Sequence, residues 1–284
     1  MSSANAHDAA FCAGLVRDHD FTRYAATLFV PAEKRRALLA LYAFNVEITR
    51  IRELVSQPLP GEIRLQWWTD MLAGAGHGGI EGNPVAAELL LAIGAHGLPV
   101  DRLSKLIDAH IFDLYHDPMP DLAVLESHIN DTSSTLLALS AKILGDASET
   151  AEQAADHGGL AQGAAQVIAM LPYDSARGQL FLPLDMLTAH GSSAAEVFLG
   201  KVTPKIRSAL DQLIAGAQEQ LATAQELLPQ MPVDARRAFL PLALVQRDLD
   251  RMARPDFDPF ALHVTSRLRV LWTLWRAANS RMFS

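Results

Sequence analysis

The amino-acid sequence predicts an all-α protein with a single domain, and three observations carry that prediction. Apolar residues recur every three or four positions along almost the whole chain, the spacing that lines side chains up on one face of a helix. Period-two runs of Val, Ile, Thr and aromatic residues, which would mark strands, are missing. Hydrophobic residues make up 50% of the 284 and charged residues 20%, a balance that builds a core and excludes wholesale disorder.

Residues 1–20 show no such stripe and are expected as an N-terminal extension, which leaves 21–284 as the domain. Helices are expected over Ala32–Ser56, Gly61–Leu72, Pro84–His96 and Val100–Tyr115. Between them, Gly74–Gly82 reads as a flexible connector, because it lacks the Lys-Ser/Thr ending of a phosphate loop. A stripe from Leu122 to Leu144 has Asp121 as its cap and stops at Gly145. Ser148–Leu171 follows. Within it, Gly158–Tyr173 comes nearest to a membrane span, yet glycines, glutamines and a proline break it, so a tightly packed core helix is expected. Gly191-Ser192-Ser193 reads as a helix stop followed by a new cap. The clearest stripe is Ile206, Leu210, Leu213, Ile214, Ala217, Leu221, Ala224 and Leu228. Val233–Ala253 and Asp258–Met282 complete the series. No linker, composition shift or repeat divides the chain.

The charge balance narrows function. Twenty-four Lys and Arg against 32 Asp and Glu give −8, which argues against a protein that grips nucleic-acid phosphates. A single cysteine, Cys12, forms no internal disulfide and no thiolate zinc site, so a reducing, cytoplasmic location is expected. Surface attachment at the inner face of a membrane stays open. The ten histidines never fall three or four apart, so no helix offers two imidazoles to a metal and no metal ligands are expected.

Two segments hold more: Glu33–Glu53, containing Ala43-Phe44-Asn45-Val46-Glu47-Ile48-Thr49-Arg50-Ile51-Arg52-Glu53, and Gly158–Pro183, containing Gln166, Met170, Pro172-Tyr173-Asp174 and Arg177. Together with Leu65-Gln-Trp-Trp68, Asn83-Pro-Val85 and Leu144-Gly145 they resemble the squalene and phytoene synthase family over roughly Phe21–Met282. That resemblance implies an isoprenoid synthase (terpenoid synthase-like) helical bundle around a central apolar cavity. Active members join two prenyl diphosphates head to head, with two Asp-x-x-x-Asp motifs holding magnesium against the diphosphate. By the same resemblance the substrate-binding positions of the first motif are Thr49, Arg50 and Glu53, where only the last acid survives. Those of the second are Gln166, Met170, Asp174 and Arg177, where only the trailing aspartate survives. No catalytic residue is assigned.

A thioether, a hydroxyl and a guanidinium are poor replacements for carboxylates around a hard cation. No cofactor is therefore expected, and magnesium enters only in the alternative reading, a prenyl transferase using Glu47, Glu53 and Asp174. Glu47 and Glu53 lie about 240° apart around a helix, which opposes that alternative. The Ala43–Glu47 signature, Trp67-Trp68 and Asp131–Leu137 are similar to the phytoene-synthase-like assembly-factor branch of respiratory complex I. This likeness implies a non-catalytic or lipid- or isoprenoid-binding assembly role with respiratory subunits as partners.

Several residues keep two readings. Arg50, Arg52 and Arg177 would suit a diphosphate or an acidic headgroup, or Arg50 would pair with Glu47 and Glu53 along one helix. Asp174 and Arg177 would serve the site, or brace a local turn. Lys34-Arg35-Arg36 would be a solvated helix start, or a contact to an anionic membrane. Trp67, Trp68, Trp272 and Trp275 would pack between helices, or wall the cavity.

Overall fold

A computed structural model of the chain describes residues 3–75 and 82–283, and within them the backbone is helical, with no β-strand. Residues 76–81 of the expected connector lie outside the described residues. The N-terminal stretch expected as an extension forms α1 (Ser3–His19). Its Cys12 and Val16 are buried in the common core, and it packs on α3 and α5, so residues 1–20 include part of the helical body. An inward face of Cys12, Leu15 and Val16 set among alanines is too short a stripe to announce itself in sequence.

Asp20 caps the short α2 (Phe21–Thr27) by accepting from Arg23 N at 3.1 Å. Helix α3 (Ala32–Leu54) buries Leu38, Leu41, Phe44, Ile48 and Ile51. Next come α4 (Pro58–Leu72), α5 (Pro84–His96) and α6 (Val100–Ala109). The helix expected to reach Tyr115 ends early, in a 3-10 turn at Phe112–Leu114. Asp121 caps α7 (Leu122–Ile129) as expected, accepting from Val124 N at 2.8 Å.

The Leu122–Leu144 stripe is helical throughout, but Asn130–Ser134 widens into a π-turn before α8 (Thr135–Ile143). Glycines on α9 (Glu149–Ala176) explain how closely that turn packs. A Cβ on Gly159 would stand 2.5 Å from the backbone N and Cα of Ser134, and one on Gly163 would stand 2.6 Å from the Ile129 side chain. Only hydrogen fits between these elements. Helix α9 also runs through Pro172 to Ala176, past the expected end at Leu171.

Gly191, at φ 72°, ends α10 (Leu184–Ala189), and Ser193 caps α11 (Ala194–Phe198) by accepting from Glu196 N, the expected stop and cap. Helix α12 (Pro204–Leu227) lies along α9, and every residue of the Ile206–Leu228 stripe is 5% exposed or less. The expected Val233–Ala253 helix is divided into α13 (Val233–Arg236), a 3-10 turn at Arg237–Phe239 and α14 (Leu242–Met252), because Pro241 supplies no amide hydrogen. In Asp258–Met282 only α15 (Arg267–Ala278) forms an α-helix. Pro259 lies in the irregular stretch before it.

Candidate functional site

Helices α3 and α9, the two information-rich segments, face each other across a cavity of about 570 Å³. From α3 come Asn45, Val46, Thr49, Arg50, Arg52 and Glu53, mostly steps of three or four along one face. From α9 come Gln162, Gln166, Met170 and Asp174, each four residues after the last. The π-turn adds Thr132 and Ser133, and α14 adds Leu244, Val245 and Asp248. Thr49, Arg50, Glu53, Gln166, Met170 and Asp174 therefore converge on one cavity. Arg177 and Glu47 do not line it. The wall expected to be apolar is mixed, with Val46, Ile129, Leu136 and Val167 beside a charged cluster.

Most of the acids in that cluster already have partners. Five carboxylates reach the cavity: Asp20, Glu53, Asp113, Asp174 and Asp248. Asp20 pairs with Arg23 at 2.5 Å and Asp248 with Arg251 at 3.0 Å. Asp174, only 3% exposed, is ion-paired with Arg52 across 122 residues of sequence. Burial holds the Asp174 carboxyl above the ordinary carboxylate range against the pull of Arg52. The Arg52 guanidinium stands 5.3 Å from the Phe181 ring centroid, and its backbone carbonyl accepts from Arg177 Nη2 at 2.9 Å. The local turn brace expected of Asp174 and Arg177 is a backbone feature, since Asp174 O accepts from Arg177 N at 3.0 Å and from Gln179 N at 2.8 Å. The Asp174 side chain works across the cavity instead.

Among the described residues Arg50 makes no ion pair with Glu47 or Glu53, and its buried Nε has no hydrogen-bond partner. Arg50 and Glu53 both line the cavity without pairing, whereas Glu47 does not reach it.

A second cluster beside Arg52 was not singled out from the sequence. Asp113, carried by the 3-10 turn, accepts from His110 Nδ1 at 2.6 Å, and its other oxygen lies 3.7 Å from His128 Nε2. Burial raises the Asp113 carboxyl, but His110, His128 and Arg52 outweigh it and hold it below the ordinary range. Burial keeps His128 below its own ordinary value despite Asp113. The two imidazoles are 18 positions apart in sequence and their ring centroids 6.0 Å apart in space. Only the His110-x-x-Asp113 interval could have flagged half of this cluster. Among the described residues no group of three His, Cys, Asp or Glu side chains is arranged to hold a metal ion.

The four tryptophans do not wall the cavity. Trp68 packs edge-on against Phe44 at 5.2 Å, whereas Trp272 and Trp275 stack on each other at the surface. Lys34-Arg35-Arg36 is not simply solvated. Arg36 forms a two-pronged pair with the buried Glu88 at 2.6 Å, and Arg35 donates to the carbonyls of Val30 and Leu28.

Comparison with known proteins agrees with this geometry. The profile of the squalene/phytoene synthase family matches residues 16–276. The chain belongs to that family. It is 32% identical to NADH dehydrogenase (ubiquinone) complex I, assembly factor 6, of Homo sapiens over 250 residues, 88% of this chain and 75% of the relative. Against phytoene synthase of Arthrospira platensis the identity is 24% over 268 residues, 88% of this chain and 85% of the relative. The crystal structure of a squalene synthase from Alicyclobacillus acidocaldarius superposes with a TM-score of 0.76 at 19% identity, covering 88% of this chain and 94% of that one. A ligand-bound dehydrosqualene synthase gives 0.76 at 14%, covering 96% and 95%. The family member described here thus shares the all-α isoprenoid synthase fold of its solved relatives.

Proposed function

We propose that this chain is an assembly factor for respiratory complex I. In this reading it keeps its family's cavity as a binding pocket for an isoprenoid or lipid and does not condense prenyl diphosphates. The observation that carries the reading is the Arg52–Asp174 ion pair: the last aspartate of the second motif is held by an internal cation, and the first motif presents Arg50 where an acid would stand. A magnesium cluster bridging protein to diphosphate needs several free carboxylate oxygens. Of the five carboxylates here, Asp20, Asp174 and Asp248 are each paired with an arginine and Asp113 is hydrogen-bonded to His110, which leaves Glu53 as the one without an ion-pair partner among the described residues. The donor set does not fit magnesium.

What the cavity offers instead is a metal-free anion contact at its charged end, from Arg50, and apolar walls for a chain. The likeness to assembly factor 6 supports the assembly role and respiratory subunits as partners. Among the described residues no helix is long and apolar enough to cross a membrane. We propose a cytoplasmic location with peripheral attachment at the inner face of the membrane, a reading that follows from the assembly role.

Deleting the gene in its host and resolving respiratory complexes on native gels tests this. Mature complex I should be depleted, and both the wild-type gene and Glu53→Gln should restore it, since no metal depends on that carboxylate. In vitro, farnesyl or geranylgeranyl diphosphate should raise the melting temperature equally with magnesium and with a chelator. Normal complex I in the deletion strain, or squalene or phytoene formed from those diphosphates, would overturn the proposal.

A further inference from the structure

The charge of the chain is unevenly spread. Residues 259–284 contain four arginines, Arg267, Arg269, Arg276 and Arg281, and no acid, a net charge of +4. The other 258 residues then hold 20 basic against 32 acidic side chains, or −12. The same segment carries the most exposed large apolar side chains of α15 and its approach: Leu262 is 62% exposed, Val264 87%, Leu268 80%, Trp272 59% and Trp275 50%.

On α15, Leu268, Trp272 and Trp275 follow the i, i+4, i+7 rule and share one face, with the exposed Arg269 and Arg276 about 40–120° around from them. The opposite face, Val270 and Leu274, is buried against the bundle. Arg267, 4.8 Å over the Phe21 ring, ties the helix to α2. An outward apolar stripe with aromatic rings and flanking arginines, and no acid on the helix, is the composition of an element that lies in a bilayer interface. The alternative apolar surface around Leu54, Leu59 and Ile63 carries Glu53 and Glu62 in the same segment, which an anionic bilayer would repel.

We infer that α15 and the approach from Leu262 form the face by which this protein docks on an anionic lipid bilayer, with Trp272 and Trp275 inserted at headgroup depth and Arg269 and Arg276 against lipid phosphates. The inference rests on the peripheral location proposed above and names the surface responsible. It displaces the Lys34–Arg36 cluster, whose Arg35 and Arg36 are engaged within the fold. The buried face of α15 packs on α2 and α14, and Thr22, Arg23, Leu244, Val245 and Asp248 from those two helices line the cavity.

Flotation of the full chain with phosphatidylcholine vesicles, with or without phosphatidylglycerol, tests this. Wild type should float with the anionic vesicles, less so at high salt, and weakly with phosphatidylcholine alone. Arg269→Gln with Arg276→Gln should lower anionic-vesicle binding about 25-fold, at about fivefold for each arginine. Trp272→Ser with Trp275→Ser should lower it by about tenfold or more, with circular dichroism reporting that the fold is kept. Brominated lipids should quench wild-type tryptophan emission, a readout that needs no substitution.

Absence of flotation and quenching would overturn the inference, as would unchanged binding by both double variants. A dimer dissolved by the tryptophan substitutions, or a protein partner lost with them while vesicles are ignored, would assign the face to protein instead and overturn it equally. Failure on vesicles with complex I still lost in the deletion strain removes this docking face and leaves the assembly role. Vesicle binding with normal complex I does the reverse.

Discussion

Replacing Arg52 by Met removes the one cation that, among the described residues, faces Asp174 at hydrogen-bond distance, while filling most of the same volume. Asp174 is 3% exposed, so its carboxylate cannot turn to water, and Asp113, also buried nearby, adds like charge. Breaking a buried pair from one side costs about 3–5 kcal/mol, which for a chain of this size corresponds to a fall in Tm of roughly 5–8 °C. The loss has a signature in pH. Asp174 already binds its proton more readily folded than unfolded, and without Arg52 this tendency grows. The penalty is thus present above the raised folded pKa and shrinks as pH falls through it and the carboxyl becomes neutral. Urea unfolding followed by circular dichroism at neutral and mildly acidic pH measures both effects. Arg52→Met should be strongly destabilised at neutral pH and recover toward wild type in acid, and Arg52→Met with Asp174→Leu should regain most of the loss at neutral pH. A single variant within about 1 kcal/mol of wild type at neutral pH, the cost of an exposed pair, would refute the argument that this pair consumes the second motif.

Two helical glycines should answer oppositely to alanine. Gly159→Ala pushes a Cβ to 2.5 Å from Ser134 backbone and should cost about 1–3 kcal/mol or more, whereas Gly216→Ala meets nothing within 4 Å and should gain up to about 1 kcal/mol from helix propensity; thermal melts compare them. Acid sensitivity should begin just below neutrality. Burial depresses His128 and His96 below their ordinary value of 6.5, so the unfolded chain takes up protons first and stability is lost as pH falls below about 6.5. His128→Gln should flatten that slope between pH 7 and 6, with His96 supplying the remainder. Asp156, Asp174 and Asp248, raised by burial, act with opposite sign, since the folded chain binds their protons before the unfolded one, so the comparison is of His128→Gln with wild type over the same pH range. An unchanged slope in the variant would reject the assignment to His128.

Much of this architecture could be read from local pattern. The Ile206–Leu228 stripe became α12, Asp121 capped α7, and Gly191-Ser192-Ser193 ended one helix and started another, because periodicity and caps are decided within a few residues of the position itself. The family motifs likewise located the cavity, since Thr49, Arg50, Glu53, Gln166, Met170 and Asp174 all reach it. Local pattern failed where a long-range contact decided, and also where a local helix breaker such as Pro241 was passed over. Helix α1 owes its burial to α3 and α5 rather than to a stripe of its own, and the rows expected as single helices at Val100–Tyr115, Val233–Ala253 and Asp258–Met282 break.

The electrostatics of the cavity were decided by tertiary structure alone. Of the five acids that line it, sequence pointed to Glu53 and Asp174 and missed Asp20, Asp113 and Asp248; which of them are paired was not legible either, because Arg52 and Asp174 are 122 residues apart and Asp113 sits between His110 and His128 only in the folded chain. A charge is described by its residue type, but its availability depends on what stands within a few ångströms of it after folding. The composition of α15 was likewise plain in the sequence, yet that Leu268, Trp272 and Trp275 face outward while Val270 and Leu274 face the bundle was set by which side of the helix the rest of the chain covered.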